Sequence, residues 1–454
     1  MTLLFFSFFW IFLSLCFFSQ NKGKEAAKLV LLSSELPRRR WLAIRVRLNH
    51  KSPTNSTTLI ELYVRLRINN ESHGCVCFDA HFWDGKTDDS NAFSAAWKAA
   101  CSAATQNPTV VVPSSKDFLV YPLTFHGPCK SSNISFQLMG TINAPSSPSV
   151  WTGRNAKRWL IFHGVTGLLI TGSGTFNGHG SEWWDLSCAH HPNMMGCATV
   201  IPMALNIIHC KRSTISDIYT IDSAKFHVVV NQSSDILVQN MHITAPESSP
   251  NTDGIHIELS KNVLVNNSVI ATGDDCVSIG ELSSNITVSY ITCGPGHGVS
   301  VGSVGKYGNS VKVENIHVEK VNFKGTTNGV RIKTWQIGLG YVRKISFEHI
   351  TLESVQNPIY IDQYYCDING TRGNCEPKST GVHISEVTYD DIVGTSSSNA
   401  AIYLNCSQSV ACTGINLSNI KIKSDKSGQQ IISECTNAHG TNSGVVQPKS
   451  CLQS

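Results

Sequence analysis

Apolar and polar residues alternate in short runs along most of this chain, and the runs return at coil-length intervals. One phrase, a polar lead followed by alternating Ile, Val or Leu, opens at Ser234-Asp235-Ile236-Leu237-Val238. It returns at Lys261-Asn262-Val263, Ser284-Asn285-Ile286, Ser310-Val311-Lys312-Val313, Arg343-Lys344-Ile345, Gly381-Val382-His383-Ile384 and Thr413-Gly414-Ile415. Offsets of 27, 23, 25, 34, 37 and 33 residues separate the first apolar positions, which reads as coils that keep their strands while their turns vary in length. A second series interleaves with the first: Gly254-Ile255-His256-Ile257, Cys276-Val277-Ser278-Ile279, Gly298-Val299-Ser300-Val301 and Gly329-Val330-Arg331-Ile332-Lys333. Period-two alternation sends one set of side chains inward and the other outward. No Asn-Gly or Asp-Gly hairpin series links adjacent strands, which argues against a sandwich. The pattern predicts an all-β chain built as a single right-handed parallel β-helix.

Two segments depart from that rhythm. Ala92-Phe93-Ser94-Ala95-Ala96-Trp97-Lys98-Ala99-Ala100-Cys101 places Phe93, Ala96, Trp97, Ala100 and Cys101 on one helical face. It follows Asp88-Asp89-Ser90, whose side chains can cap a helix N-terminus. A solenoid has an open end, so this short helix is expected to cover the first coil. Residues 3–18 form an apolar run of 16 with no charged side chain, shorter than the ~20 residues that span a bilayer and suited to a secretory signal. An uncleaved anchor is the alternative, because the run lacks a basic lead and a clean cleavage site. The domain reading is therefore a signal-like segment at 1–20, a basic segment at 21–75, and the β-helix at 76–454. Within the basic segment, Leu59 to Ile68 looks β-like but has no obvious partner.

Charge and cysteine usage narrow the function classes. Residues 21–70 hold eleven Lys/Arg against three Asp/Glu, so of the overall +4 charge the main body carries −4. No finger, RNA-recognition or basic-zipper signature accompanies the basic stretch, which excludes a specific nucleic-acid reading. Of sixteen cysteines, none forms a zinc-type double C-x-x-C array, and short loops predict disulfides Cys276–Cys293, Cys366–Cys375, Cys406–Cys412 and Cys435–Cys451. Nine Asn-x-Ser/Thr sequons, at Asn55, Asn70, Asn133, Asn231, Asn266, Asn285, Asn369, Asn405 and Asn416, point the same way. A secreted, extracellular protein is expected, with no stable membrane partner.

The candidate chemistry lies just before the second strand series. Asp253, Asp275 and His297 recur every 22 residues. On stacked coils they stand roughly 4.8 Å apart. Two carboxylates that close cannot both ionise cheaply, so one becomes an acid while another can activate a water. Asp253, Asp274 and Asp275 can supply that set, and inverting glycosidases hold acid and base roughly 6.5–9.5 Å apart to admit the water. Residue types alone leave open which aspartate is acid and which is base. Arg331 and Lys333, two apart on one strand, share a face and suit an anionic substrate. Each residue also has an ordinary structural role available, as a turn aspartate, a core histidine or a solvated cation. Their co-location carries the functional reading.

Asn251-Thr252-Asp253, Gly273-Asp274-Asp275, Gly296-His297-Gly298 and Arg331-Ile332-Lys333, in that order and spacing, resemble the four signature segments of the polygalacturonases, inverting hydrolases of pectin. Thr334-Trp335-Gln336 and Ile361-Asp362-Gln363-Tyr364-Tyr365-Cys366 extend the likeness, which covers about residues 85–445. The resemblance implies hydrolysis of α-1,4-linked galacturonic acid in the cell wall by single displacement, with no metal or organic cofactor, by a monomer. By matched position Asp274 would be the proton donor, Asp253 and Asp275 would activate the water, and His297 would support the site. Asn251, Arg331, Lys333 and Tyr365 would contact substrate. Phe78 to Lys86 departs from the family's usual Gly-rich opening. A pectate lyase, a rhamnogalacturonan or xylogalacturonan hydrolase, and a catalytically silent wall protein are the competing readings on the same solenoid.

Overall fold

The structure, a computed structural model, describes residues 28–32, 41–51, 57–67, 84–188, 191, 193–368, 371–372 and 378–454. The apolar run at 3–18 lies outside these. Lys28–Leu32, Trp41–Lys51 and Thr57–Arg67 form a three-stranded antiparallel sheet. The β-like stretch at Leu59 therefore has a partner: Leu59 pairs with Asn49 and Leu66 with Leu42. The sequence hid this because the two strands are joined outside any hairpin turn signature.

From Asp84 onward the described chain winds as a right-handed parallel β-helix. An 11-stranded sheet runs from Leu123–His126 to Ile432–Thr436 with every neighbouring pair parallel. An 18-stranded sheet forms the remaining walls. Inward residues stack on their equivalents one coil away. Ile236 pairs with Val263, Val263 with Ile286, Ile286 with Ile316, Ile316 with Ile345, Ile345 with Val387 and Val387 with Ile415. All seven are buried, and each such Val or Ile contributes roughly 1.5–3 kcal/mol relative to exposure.

That register corrects two of the repeated phrases. Val311 and Val382 are not rungs of this stack; Val311 pairs with Gly340, and the rung positions are Ile316 and Val387. Both phrases lie in extensions preceding a bend, and alternation looks the same on either side of it. The bend carries a left-handed residue coil after coil: Asp235, Asn262, Asn285, Asn315, Lys344 and Glu386 all have φ between 55° and 59°. Asn and Asp tolerate this conformation best. Their amides also ladder, Asn262 donating to Asp235 at 2.8 Å and Asn285 to Asn262 at 3.1 Å.

Helix Ser90–Ser102 caps the first coil and buries Phe93, Ala96, Trp97 and Ala100, with Trp97 packed edge-on to Phe162 at 5.3 Å. Cys101 bonds Cys129, tying the helix to the coil beneath. The expected side-chain cap comes from Asp88, whose Oδ1 accepts from the Ser90 N–H at 2.9 Å. Asp89 stands at the N-cap without a capping hydrogen bond, and its carboxylate accepts instead from the Leu119 N–H at 3.3 Å. Docking onto the strand below takes Asp89 away from the helix's free N–H groups.

Candidate active site

The aspartate corner is built by three coils in strict register. Ile255 pairs with Val277 and Val277 with Val299, so the 22-residue period is one turn of the helix. Asp253, Asp275 and His297 thus stand in one column, each two residues before its strand. Each is followed by a small residue because the corner has no room. A Cβ on Gly298 would lie 2.1 Å from the Asn328 carbonyl oxygen, and its φ of +86° independently favours glycine. Cys276, the exception, points into the coil and bonds Cys293. Backbone hydrogen bonds lock the column: Gly254 N–H to Asp275 at 2.9 Å, Cys276 N–H to Gly298 at 2.8 Å and His297 N–H to Asp274 at 2.8 Å.

Asp275 is the most constrained of the acids. Arg331 Nη2 donates to its Oδ1 at 2.6 Å, Lys333 Nζ to its Oδ2 at 2.8 Å, and Ser300 Oγ to Oδ1 at 2.7 Å. Arg331 also donates through Nε to Ser300 Oγ at 2.9 Å. Asp275, Arg331 and Lys333 are all buried, so the pair of cations answers the cost of taking a carboxylate from water. Burial works against the Arg331 charge, but Asp275 and Asp274 outweigh it and raise its pKa.

Asp253 and Asp274 are driven apart. Burial first, then the charges of Asp274 and Asp275, raise Asp253 well above the ordinary carboxylate range, against a 2.6 Å bond from Ser278 and the charge of Lys333. For Asp274 burial also acts upward, but the hydrogen bond and charge of His297, with Lys333 and Arg331, outweigh it and hold the carboxyl below its usual value. His297 Nδ1 lies 3.1 Å from Asp274 Oδ1, and Asn251 Nδ2 lies 3.4 Å from Oδ2. One neutral and one ionised carboxyl in contact with one groove is the pattern acid–base hydrolysis needs.

A groove of about 520 Å³ opens over this cluster, and all eight residues singled out in the sequence line it. Tyr365 packs edge-on to Trp335 at 5.7 Å, with Lys333 Nζ 5.6 Å from its ring centre. The donor atoms of Asp274, Asp275 and His297 lie within 4.8 Å of one another, yet this set does not fit a metal. Both oxygens of Asp275 already hold cations, and an added ion would have to displace Arg331 or Lys333.

Residues 101–451 match the model of the glycosyl hydrolases family 28. The chain is 42% identical to a polygalacturonase of Persea americana, covering 77% of this chain and 74% of that protein. It is 41% identical to a polygalacturonase of Prunus persica, covering 81% and 91%. It belongs to glycosyl hydrolase family 28. Two solved structures share the fold of this family 28 chain. A polygalacturonase from Erwinia carotovora superposes with a TM-score of 0.64 at 23% identity, covering 78% of this chain and 94% of that one. An endo-xylogalacturonan hydrolase from Aspergillus tubingensis gives 0.67 at 22%, covering 80% and 98%.

Several residues at the site of this family 28 hydrolase escaped the sequence reading: Ser278 and Lys306 line the groove, while Ser300 and Lys225 act on its acids from outside that lining. Ser278 and Ser300 occupy outward positions on adjacent strands, in register with His256 and Arg331. Period-two alternation from Arg331 back through the coils was the signal that could have found them. Lys225 and Lys306 had no such signal, since they come from loops. Burial lowers the Lys225 pKa, against Asp253 and Asp274, while Lys306 adds to the fall. Lys225 Nζ sits over the Phe226 ring at 4.8 Å and Lys306 Nζ over Trp335 at 5.2 Å.

Proposed function

We propose that this family 28 hydrolase cleaves α-1,4-galacturonosyl linkages of pectic homogalacturonan by inverting, single-displacement acid–base catalysis. One observation carries the reading: coil register gathers three carboxylates and an imidazole on a single groove, opposite two buried cations that face the same acids. Two cations against the single Asp275 carboxylate leave an excess of positive charge, which a galacturonate carboxylate would complement and a neutral glycan would not. The names of the Persea and Prunus relatives agree with that substrate. All groove residues come from one chain, so a monomer suffices. Disulfides Cys101–Cys129, Cys188–Cys197, Cys276–Cys293, Cys406–Cys412 and Cys435–Cys451 suit an extracellular protein acting at the cell wall. Cys366 is also disulfide-bonded, and its expected partner Cys375 lies outside the described residues.

In this reading Asp274 is the proton donor and Asp253 and Asp275 activate the water. Before substrate binds, the proton is held on Asp253 instead, because His297, Lys333 and Arg331 favour the ionised form of Asp274. A uronate carboxylate seated beside Lys333 and Arg331 would offset those charges, raise the proton affinity of Asp274 and arm it as the acid. Asp253, relieved of its proton, then becomes a base. Arg331, Lys333, Asn251 and Tyr365 hold the sugars on either side of the cut.

The test is reducing-sugar release from polygalacturonate in the presence of a chelator, with ultraviolet absorbance followed for an unsaturated product. Hydrolysis without that absorbance is expected, and Asp274→Asn should lower kcat at least about a thousandfold with unchanged circular dichroism. An unsaturated product that disappears on chelation would make the protein a lyase. Full turnover by Asp274→Asn would remove it from the donor role.

A further inference from the structure

Two serines on adjacent rungs perform the same task with opposite freedom. Ser278 pairs with Ser300 in the parallel register, and each hydroxyl contacts the aspartate of the preceding coil, Ser278 on Asp253 at 2.6 Å and Ser300 on Asp275 at 2.7 Å. What stands behind each serine differs. Ser300 receives a hydrogen bond from Arg331, which can only donate, so its own proton must point at Asp275. Behind Ser278 is His256 Nδ1 at 2.8 Å, a group that either donates or accepts according to tautomer. Ser300 is therefore a one-way clamp on an anion, and Ser278 can turn either way.

We propose that Asp253, Ser278 and His256 form a proton relay through which Asp253 is emptied before it acts as a base. This rests on the hydrolase reading above and names two residues for it that touch no reacting atom. In the resting site the Asp253 hydroxyl donates to Ser278 Oγ and Ser278 donates to His256 Nδ1. In the relay step the Asp253 O–H breaks as a new Oγ–H forms, the original Oγ–H breaks as Nδ1–H forms, and the imidazole releases its Nε2 proton to the groove. The balance is one proton moved from Asp253 to solvent, with His256 neutral before and after in the other tautomer. His256 lines the groove and stacks on Phe226 at 4.6 Å, which fixes its ring plane while the exchange occurs.

The charged surroundings support the direction. Asp253 faces Asp274, Asp275, Lys333 and Lys225; His256 faces Lys225, Asp275 and Lys333. Burial first, with Lys225 and Lys333 against Asp275, pushes the His256 pKa down to about 4. The imidazole therefore does not retain the second proton, and the relay drains outward. Anionic substrate beside Lys225 and Lys333 would ease the transient imidazolium.

Two measurements decide the matter independently of each other. In the empty enzyme, nitrogen NMR of labelled histidine should show His256 as the Nε2–H tautomer while Asp253 is neutral and as Nδ1–H once it ionises. Ser278→Ala should abolish that exchange. A tautomer that never changes, or changes equally in Ser278→Ala, overturns the relay whether or not the protein hydrolyses pectin. Kinetically, Ser278→Ala should lower kcat at least about tenfold with KM held within about twofold. It should also move the ascending limb of the pH profile to higher pH, since the lost hydrogen bond was lowering Asp253. Ser278→Thr, which keeps the hydroxyl, should restore both. An unmoved limb, or a loss that threonine does not restore, would mean that Ser278 only packs. A wild-type enzyme inert on polygalacturonate would refute the activity, while the tautomer experiment would still judge the relay.

Discussion

Arg331 and Lys333 do two jobs at once, and only their distances to Asp275 reveal the second. Outward cations on a strand look like substrate ligands, yet both are buried against one carboxylate at 2.6 and 2.8 Å. Removing one partner of such a set leaves charge buried without its full complement, a loss far larger than the pair's net contribution. Arg331→Ala is therefore expected to destabilise the protein by about 3 kcal/mol as well as to cripple activity. Urea unfolding followed by circular dichroism measures it; an unchanged midpoint would show that Lys333 and Ser300 alone satisfy Asp275. The same contact explains why sequence could name eight residues that line the groove but not sort the acids. Protonation is set by burial and by neighbours on other coils, such as His297 beside Asp274 and Ser278 beside Asp253.

At the scale of the element, the helix Ser90–Ser102 shows how packing redirects a local rule. Its apolar face was legible and four of its five named residues are buried, while Cys101 is bonded to Cys129. Its cap was legible in part, because Asp88 accepts from the Ser90 N–H while Asp89 answers the strand at Leu119. Burial, opposed by the Leu119 N–H and assisted by Asp84 and Asp88, raises Asp89 to about 7 from the model-compound value of 3.8. A carboxyl whose folded pKa lies above its unfolded one binds protons more tightly when folded, so stability falls as pH rises from about 4 to about 7. Asp89→Asn removes that loss. It should match wild type in thermal unfolding near pH 4 and exceed it at pH 7 by at least about 1 kcal/mol; equal curves at both pH values would show that Asp89 is not neutral in the fold. Strand positions were legible from alternation, whereas the bends at Asn315 and Glu386 were not, which misplaced two rungs by five residues each.

The whole molecule is a stack in which each coil touches its neighbours, so a groove along one wall collects side chains far apart in sequence. Lys306, Arg331 and Lys333 give that groove a cationic lining around its acids, with the charge of Lys225 also felt by Asp253 and Asp274, although the body excluding its basic N-terminal stretch is net negative. A polyanionic substrate drawn to such a lining is sensitive to screening, because the Debye length shrinks to about 10 Å at 0.1 M salt and about 3 Å at 1 M. KM for polygalacturonate should rise severalfold across that range with a much smaller change in kcat. A KM indifferent to salt would show that uncharged contacts bind the chain.

Sequence by itself determined the class of fold and eight of the residues that line the groove. Alternation decides which side chains point inward, and a 22-residue recurrence decides which of them stack, since both follow from backbone geometry alone. Tertiary structure alone decided where the protons sit, what the serines do and which loop cations join the groove. Those depend on distances between coils and on the exclusion of water, and neither quantity is written in the order of residues along one coil.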